Sequence, residues 1–219
     1  MTFLLKEAGR RSRRLARQAC DVALLWPLRS LLRQAAHLLG NDRAFASADR
    51  RLLEDHILPH FAAAPEPLSV LFVGVHWYTR RCEQVLSAHR YRTIDIDPRA
   101  ARHGSTQGHV TASATEVASH FPPASVDLVV VNGVFGWGLN DRAQVEAAAR
   151  GFFEVLREGG DLVVGWNDII GRRPHPVAPA LEAAGFARAE FPPLATQVIA
   201  VPGSNRHRFE FFRKPRRAW

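Results

Sequence analysis

Leu68-Ser69-Val70-Leu71-Phe72-Val73-Gly74 is a short apolar run closed by a glycine, and Tyr91-Arg92-Thr93-Ile94-Asp95 is a second run that closes on a carboxylate 21 residues later. A brief Val-containing run bounded by a turn residue suits a buried parallel strand better than a helix. Glycine at the carboxyl end of such a strand lets backbone approach a ligand that a side chain would repel. A carboxylate about twenty residues further on stands where nucleotide-binding folds accept hydrogen bonds from ribose hydroxyls. Asp97-Pro98 follows, a capping side chain and a proline at the first helical position, so a short helix is expected there.

The same alternation continues on both sides of this pair. Thr79 to Ser87 reads as a helix between the first two strands, and a weaker strand is expected near His109 to Ala112. Val126 to Val131 has the look of a central strand and ends at Asn132-Gly133. Asn140 or Asp141 caps a helix predicted to run to Arg157, with Val145, Ala148, Ala149, Phe152, Phe153 and Leu156 on one face and Gly159-Gly160 as its stop. Leu162 to Trp166 is the fifth strand. Pro176 to Ala184 reads as a helix stopped by Gly185, and two late strands include Phe186 to Phe191 and His207 to Arg213. A repeating β-α unit predicts a mostly parallel sheet with helices on both faces and ligands at the strand carboxyl ends.

Four segments in this order resemble the class I S-adenosylmethionine-dependent methyltransferases. They are Val70 to Gly74, Thr93-Ile94-Asp95-Ile96-Asp97-Pro98, Val126 to Gly133, and Leu156-Arg157-Glu158-Gly159-Gly160-Asp161-Leu162-Val163-Val164. The resemblance spans roughly residues 66 to 214. It implies a Rossmann-like seven-stranded sheet whose antiparallel last strand, Phe209 to Arg213, enters beside the fifth. It also implies S-adenosyl-L-methionine as cofactor and methyl transfer to a small-molecule acceptor by in-line displacement. Val73, Gly74, Val75, Asp95, Ile96, Ser113, Asn132 and Gly133 are the expected cofactor positions, with Asp95 favoured over Asp97 for the ribose.

This chain departs from the family pattern in two places. The acidic-x-Gly-x-Gly-x-Gly loop has Phe72, Gly74, His76 and Tyr78 at the matching positions, and the acidic residue often found after the third strand is Ser113. An oxygen nucleophile needs its proton removed, so His76, His175 and Asp168 are the candidate bases. Trp77, Tyr78, Phe135, Trp137 and Trp166 lie near predicted strand ends, where flat side chains suit a planar or lipidic acceptor, although core packing explains them as well. A nicotinamide-dependent oxidoreductase is the alternative that fits the Gly74 to Asp95 spacing, but Gly-x-Gly-x-x-Gly is absent. A non-catalytic module binding anionic lipid or RNA through its arginines is the other, and nucleic acid is the weaker of its two targets.

The net charge of +8 comes from 29 basic and 21 acidic residues, and all but Lys6 and Lys214 of the basic ones are Arg. Residues 1–50 hold ten basic residues against Glu7, Asp21, Asp42 and Asp49. Arginines 10, 11, 13, 14 and 17 precede Val22 to Leu28, after which Leu28, Leu31, Leu32, Ala35 and Leu39 recur at helical spacing. Residues 1–65 therefore read as a basic amphipathic helical extension, and 66–219 as the Rossmann-like domain. The arm is expected to act as a lid on that domain or to lie on an anionic membrane through residues 1–40. Asp21, Arg29 and Arg33 break its apolar run well short of the ~18 residues of a spanning helix.

Ser12-Arg13-Arg14-Leu15 looks like a twin-arginine export signal, but those charges spoil the apolar region that export requires, so a cytoplasmic protein is expected. Cys20 and Cys82 are too far apart for a Cys-x-x-Cys pair. His56 and His60 have the spacing of a helical metal pair, but Pro59 intervenes and no Glu follows His56, so no metal is expected. The absence of Gly-x-Ser-x-Gly and of a Walker loop leaves serine hydrolysis and P-loop phosphoryl transfer without support. Arg213, Lys214, Arg216 and Arg217 read as a solvated tail.

Overall fold

A computed structural model describes residues 46–203 and 205–216, and the described residues from Ser47 onward form one compact unit. The amphipathic arm read at residues 1–40 and Arg217 lie outside the described residues. Helix α1 (48–62) opens the unit and widens into a π-turn at Leu53–Ile57. Pro59 gives the reason: it has no N–H to donate to the Asp55 carbonyl four residues back, so the ladder loosens there. Leu53, Ile57 and Leu58 on α1 are buried against the sheet.

Five strands run parallel: β1 (Ser69–Val73), β2 (Arg90–Asp95), β3 (His109–Thr111), β4 (Val126–Asn132) and β5 (Leu156–Asn167). The last strand, β8 (His207–Arg213), lies antiparallel beside β5, as expected from the sequence. Two short strands, β6 (Ala187–Arg188) and β7 (Val198–Ala200), pair antiparallel with β8 at Phe212–Arg213 and Arg208–Glu210 respectively. The sheet order is β3-β2-β1-β4-β5-β8-β6, so eight strands fill seven positions. The chain reverses its direction of growth between β1 and β4, which makes the carboxyl ends of those two strands the switch point.

The faces are packed by different helices. Helix α2 (Arg80–Val85) joins α1 over Val70, Phe72, Leu128, Val130, Val163 and Phe209. On the other face α3 (Val117–His120), α4 (Arg142–Val155) and α5 (Val177–Ala183) cover Leu71, Val73, Val129, Val131, Leu162 and Val164. Alternate strand residues thus serve two cores, which is why the strands read as unbroken apolar runs. Among the described residues no helix is long and apolar enough to cross a membrane.

Several boundaries differ from the sequence reading. Helix α2 begins at Arg80, after a 3-10 turn at Trp77–Thr79, and the helix after Asp97 is a 3-10 helix, Pro98–His103. Asp97 caps it, accepting from the Arg99 amide at 2.9 Å. Helix α4, capped by Asp141 through the Gln144 amide at 2.9 Å, stops at Val155 and not at Arg157. Leu156 turns extended to start β5, and Gly159-Gly160 lie inside that strand, where its register with β4 shifts.

Lys214 explains why the helix can end so abruptly. Its ammonium donates to the carbonyls of Phe153 and Leu156 at 2.7 and 2.8 Å, so it is half-buried at a helix terminus and not part of a solvated tail. Phe186 to Phe191 forms a strand only at Ala187–Arg188, and Val198–Ala200 is a strand that the sequence reading did not include.

Candidate functional site

The β1 and β2 ends meet through Asp95. Its Oδ2 accepts from the Val75 amide at 2.7 Å and its Oδ1 from the Asp97 amide at 2.8 Å. Two charge-assisted bonds fix the carboxylate at the strand end, and each oxygen keeps a second lone pair for a further donor. Beside it Ile96 is 70% exposed, a large apolar side chain left uncovered next to a fixed anion.

The first three amides after β1 are already committed. Gly74 N–H donates to the Ile94 carbonyl at 2.9 Å, Val75 N–H to Asp95, and His76 N–H to Thr79 Oγ1 at 3.1 Å. Val73 and Val75 are themselves buried. The room that the missing side chain at Gly74 leaves is already filled, since a Cβ there would stand 2.5 Å from Val134 Cγ2. This corrects the role read for Gly74: at φ +86° it makes the turn and admits Val134. The open position is Gly133, at φ +70° directly after β4, where a Cβ would meet nothing within 4 Å.

His76 is exposed and stacks on Tyr78 at 4.6 Å between centroids and on His103 at 6.0 Å. Partial burial lowers its pKa, opposed by Asp95 and aided by Arg102 and Arg50. Trp77 packs edge-on against Tyr78. Helix α1 holds this loop: Arg50 donates to the Tyr78 carbonyl at 3.0 Å while pairing at 3.1 Å with Glu54, which is 3% exposed and also faces Arg81 at 3.4 Å. Burial raises the pKa of Glu54 against the pull of Arg50 and Arg81.

A second group gathers at the ends of β4, β5 and β8. Trp137, 54% exposed, carries the Arg172 guanidinium 3.5 Å above its ring and donates through Nε1 to Asn167 Oδ1 at 3.2 Å. Asn132 on β4 is the register partner of Gly165 on β5, and His207 on β8 is the partner of Asn167. Asn132 Oδ1 and His207 Nε2 are buried with no hydrogen-bond partner. The sequence reading had His207 only as the start of a strand. Its alternation with Phe209 and Phe211, both buried in the α1-side core, was the signal that it points inward.

Other expected site residues are placed elsewhere or already engaged. Phe135 is fully buried in the core with α4, which removes it from the set of exposed aromatic walls. Trp166 is half-buried on the α4 side, its Nε1 donating to Glu210 Oε1 at 2.9 Å. Ser113 caps the turn at Ala114–Glu116, accepting from the Thr115 amide at 3.2 Å. Asp168 accepts from Arg173 Nε at 2.8 Å and faces Arg206 and Arg208 at 3.8 Å each. The Arg173 hydrogen bond holds its pKa below the ordinary carboxylate value, which suits an anchor for the arginines better than a proton acceptor. His175 is half-buried before α5, and its amide ties the β5–α5 loop to the Asn140 carbonyl at 3.0 Å.

These parts fit an adenosyl cofactor laid across the switch point. Asp95 offers ribose acceptors, Ile96 an apolar face for a base, and Gly133 open space at the end of β4. Comparisons with known proteins agree. The family described as "Methyltransferase domain" matches residues 73–164. No curated protein sequence matches the chain.

Among solved structures the chain is similar to the N-methyltransferase NodS of Bradyrhizobium japonicum WM9, solved with S-adenosyl-L-homocysteine. The identity is 20% and the TM-score 0.61, over 80% of this chain and 91% of that one. It is also similar to a TehB-like S-adenosylmethionine-dependent methyltransferase of Corynebacterium glutamicum, at 18% identity and TM-score 0.59 over 91% and 99% of the two chains. A third is the 1,6-didemethyltoxoflavin-N1-methyltransferase of Burkholderia thailandensis, at 18% identity and TM-score 0.56 over 90% of each. The strand order and the antiparallel last strand give this chain the fold of these methyltransferases, and its residues 73–164 match the methyltransferase-domain family.

Proposed function

We propose that the protein transfers the methyl group of S-adenosyl-L-methionine to a small-molecule acceptor. The observation that carries this reading is the fixed Asp95 carboxylate at the end of β2, with uncovered Ile96 beside it and the unfilled space at Gly133 across the switch point. When bound, the cofactor supplies an electrophilic sulfonium methyl whose leaving group is a neutral thioether. Little acid help is then needed, and alignment with exclusion of water supplies much of the acceleration.

The chain's own groups divide that work. Asp95 receives the ribose hydroxyls, and Ile96 lies against the base. Contact with Gly74, Val75 and His76 runs through side chains and carbonyls, because their amides are already committed. Trp137, backed by Arg172 and Asn167, provides an exposed aromatic surface for the acceptor beside the end of β4. Calorimetric titration with S-adenosylhomocysteine and, separately, with NADH tests the reading. Micromolar binding of the first alone is expected, and binding of NADH in its place would replace the reading with a dinucleotide enzyme.

A further inference from the structure

Arg172, Arg173, Arg206 and Arg208 gather at the carboxyl end of β5 and the start of β8, beside the turn that follows Gly133. Asp168 accepts from Arg173 Nε at 2.8 Å and faces Arg206 and Arg208 at 3.8 Å each, beyond hydrogen-bond reach. Arg172 lies 3.5 Å above the Trp137 ring, and among the described residues no carboxylate pairs with it. Glu210 faces Arg208 at 3.8 Å, but it also serves Arg188 at 3.6 Å.

Exposed arginines elsewhere on the chain have a carboxylate each: Arg142 has Glu146, Arg157 has Asp127 and Arg213 has Asp161. At this corner guanidinium groups outnumber carboxylates. Like charges held together repel, and an anion that settles among them relieves that repulsion.

The corner is also built in advance of any ligand. Gly136, at φ +84°, packs directly on the Arg172 carbonyl, where a side chain would collide. Trp137 Nε1 donates to Asn167 Oδ1 at 3.2 Å, and Asn167 Nδ2 donates to the Asn205 carbonyl at 3.0 Å. The turn after β4, the end of β5 and the loop before β8 are thereby tied together. The side chains of Arg173 and Arg206 are 63% and 69% exposed, so N–H groups that Asp168 does not use stay open to a ligand.

We propose that this corner recognises a carboxylate or phosphate group on the methyl acceptor, with Arg172 and Arg206 as its charged contacts and Arg173 held in place by Asp168. The proposal rests on the methyltransferase reading, and it adds the charge class: the acceptor is a small soluble acid. A planar guanidinium fork matches either oxyanion, and Trp137 places the apolar part of the acceptor beside it.

Phenyl phosphate and benzoate are the probes, with benzyl alcohol as the neutral control. Each is titrated into the full chain loaded with S-adenosylhomocysteine, whose own binding is measured first by calorimetry. The readout is the Trp137 Nε1–H resonance, identified by its loss in Trp137→Phe. At least one of the two acids is expected to bind about tenfold tighter than benzyl alcohol. Arg206→Gln and Arg172→Gln should each weaken that acid about fivefold and leave S-adenosylhomocysteine within about twofold. Arg150→Gln, which removes the same charge from an exposed position on α4, should change neither.

Binding of benzyl alcohol as tight as that of both acids overturns the proposal, as does a loss in Arg150→Gln equal to the loss in Arg206→Gln. A Trp137 signal that responds to phosphatidylglycerol vesicles and to neither acid makes the corner a membrane contact and overturns it too. Silence toward every probe with S-adenosylhomocysteine still bound overturns the proposal alone. Failure of S-adenosylhomocysteine to bind the native chain overturns the methyltransferase reading and the proposal together.

Discussion

The Val75 amide donates to Asp95 Oδ2 at 2.7 Å, so the carboxylate proposed to receive the ribose also holds the loop after β1. Ligand contact and loop shape are thus tied to one side chain, and the chain needs no glycine-rich loop to keep its β1 turn in place.

Replacing Asp95 should therefore weaken binding and loosen the fold together. Asp95→Asn retains one acceptor oxygen but turns an amide donor toward a backbone N–H. With charge-assisted bonds at about 1.5–3 kcal/mol, S-adenosylhomocysteine affinity should fall roughly 10- to 100-fold by calorimetry. Full affinity in Asp95→Ala would mean that another carboxylate binds the ribose.

Gly74→Ala should destabilise through Val134. The new Cβ would stand 2.5 Å from Val134 Cγ2 on a backbone at φ +86°, and overpacking with left-handed strain costs about 1–3 kcal/mol. Adding Val134→Ala should recover the steric part and leave the backbone part. A double-mutant cycle in urea reads the difference, and strict additivity would disprove the contact.

Lys214→Met should shift the unfolding midpoint although the residue lies near the end of the described chain. It keeps the aliphatic contact near Phe153 but leaves the Phe153 and Leu156 carbonyls without their donor. A loss of about 1–2 kcal/mol is expected from chemical denaturation, against no measurable change for exposed Arg216.

Acid should destabilise the protein just below neutrality. Burial holds the pKa values of His76, His109 and His207 under the ordinary 6.5, with Asp95 opposing at the first two and Asp49 at the third. The folded state then binds fewer protons than the unfolded chain, so the stabilisation is complete above pH 6.5 and is lost as pH falls from there through the lowered values. Urea midpoints between pH 7.5 and 5.5 should fall, and less steeply in His207→Phe. Glu54, raised by burial, acts in the opposite direction at lower pH and is common to both proteins.

The succession of strands and the capping roles of Asp97 and of Asn140 or Asp141 were legible from local pattern, apolar runs and capping side chains, whereas the antiparallel end at Phe209 to Arg213 came from the family resemblance. Ends of elements were not legible. Nothing near Val155 says that a helix stops there, because its stop is set by Lys214 and by pairing of β5 with β4 and β8. Gly159-Gly160 looked like a terminator and is a strand irregularity for the same reason.

The candidate site divides along that line. Asp95 sits at a strand end whose spacing from Gly74 can be counted, so the sequence alone placed it at the carboxyl end of β2. That Val134 fills the space over Gly74, and that Asn132 and His207 both lie over Gly165, depend on residues distant in the chain being packed together across the sheet. Side-chain periodicity tells which way a residue faces. It does not tell what stands opposite, because that is set by strand register and by close packing once the whole sheet has formed.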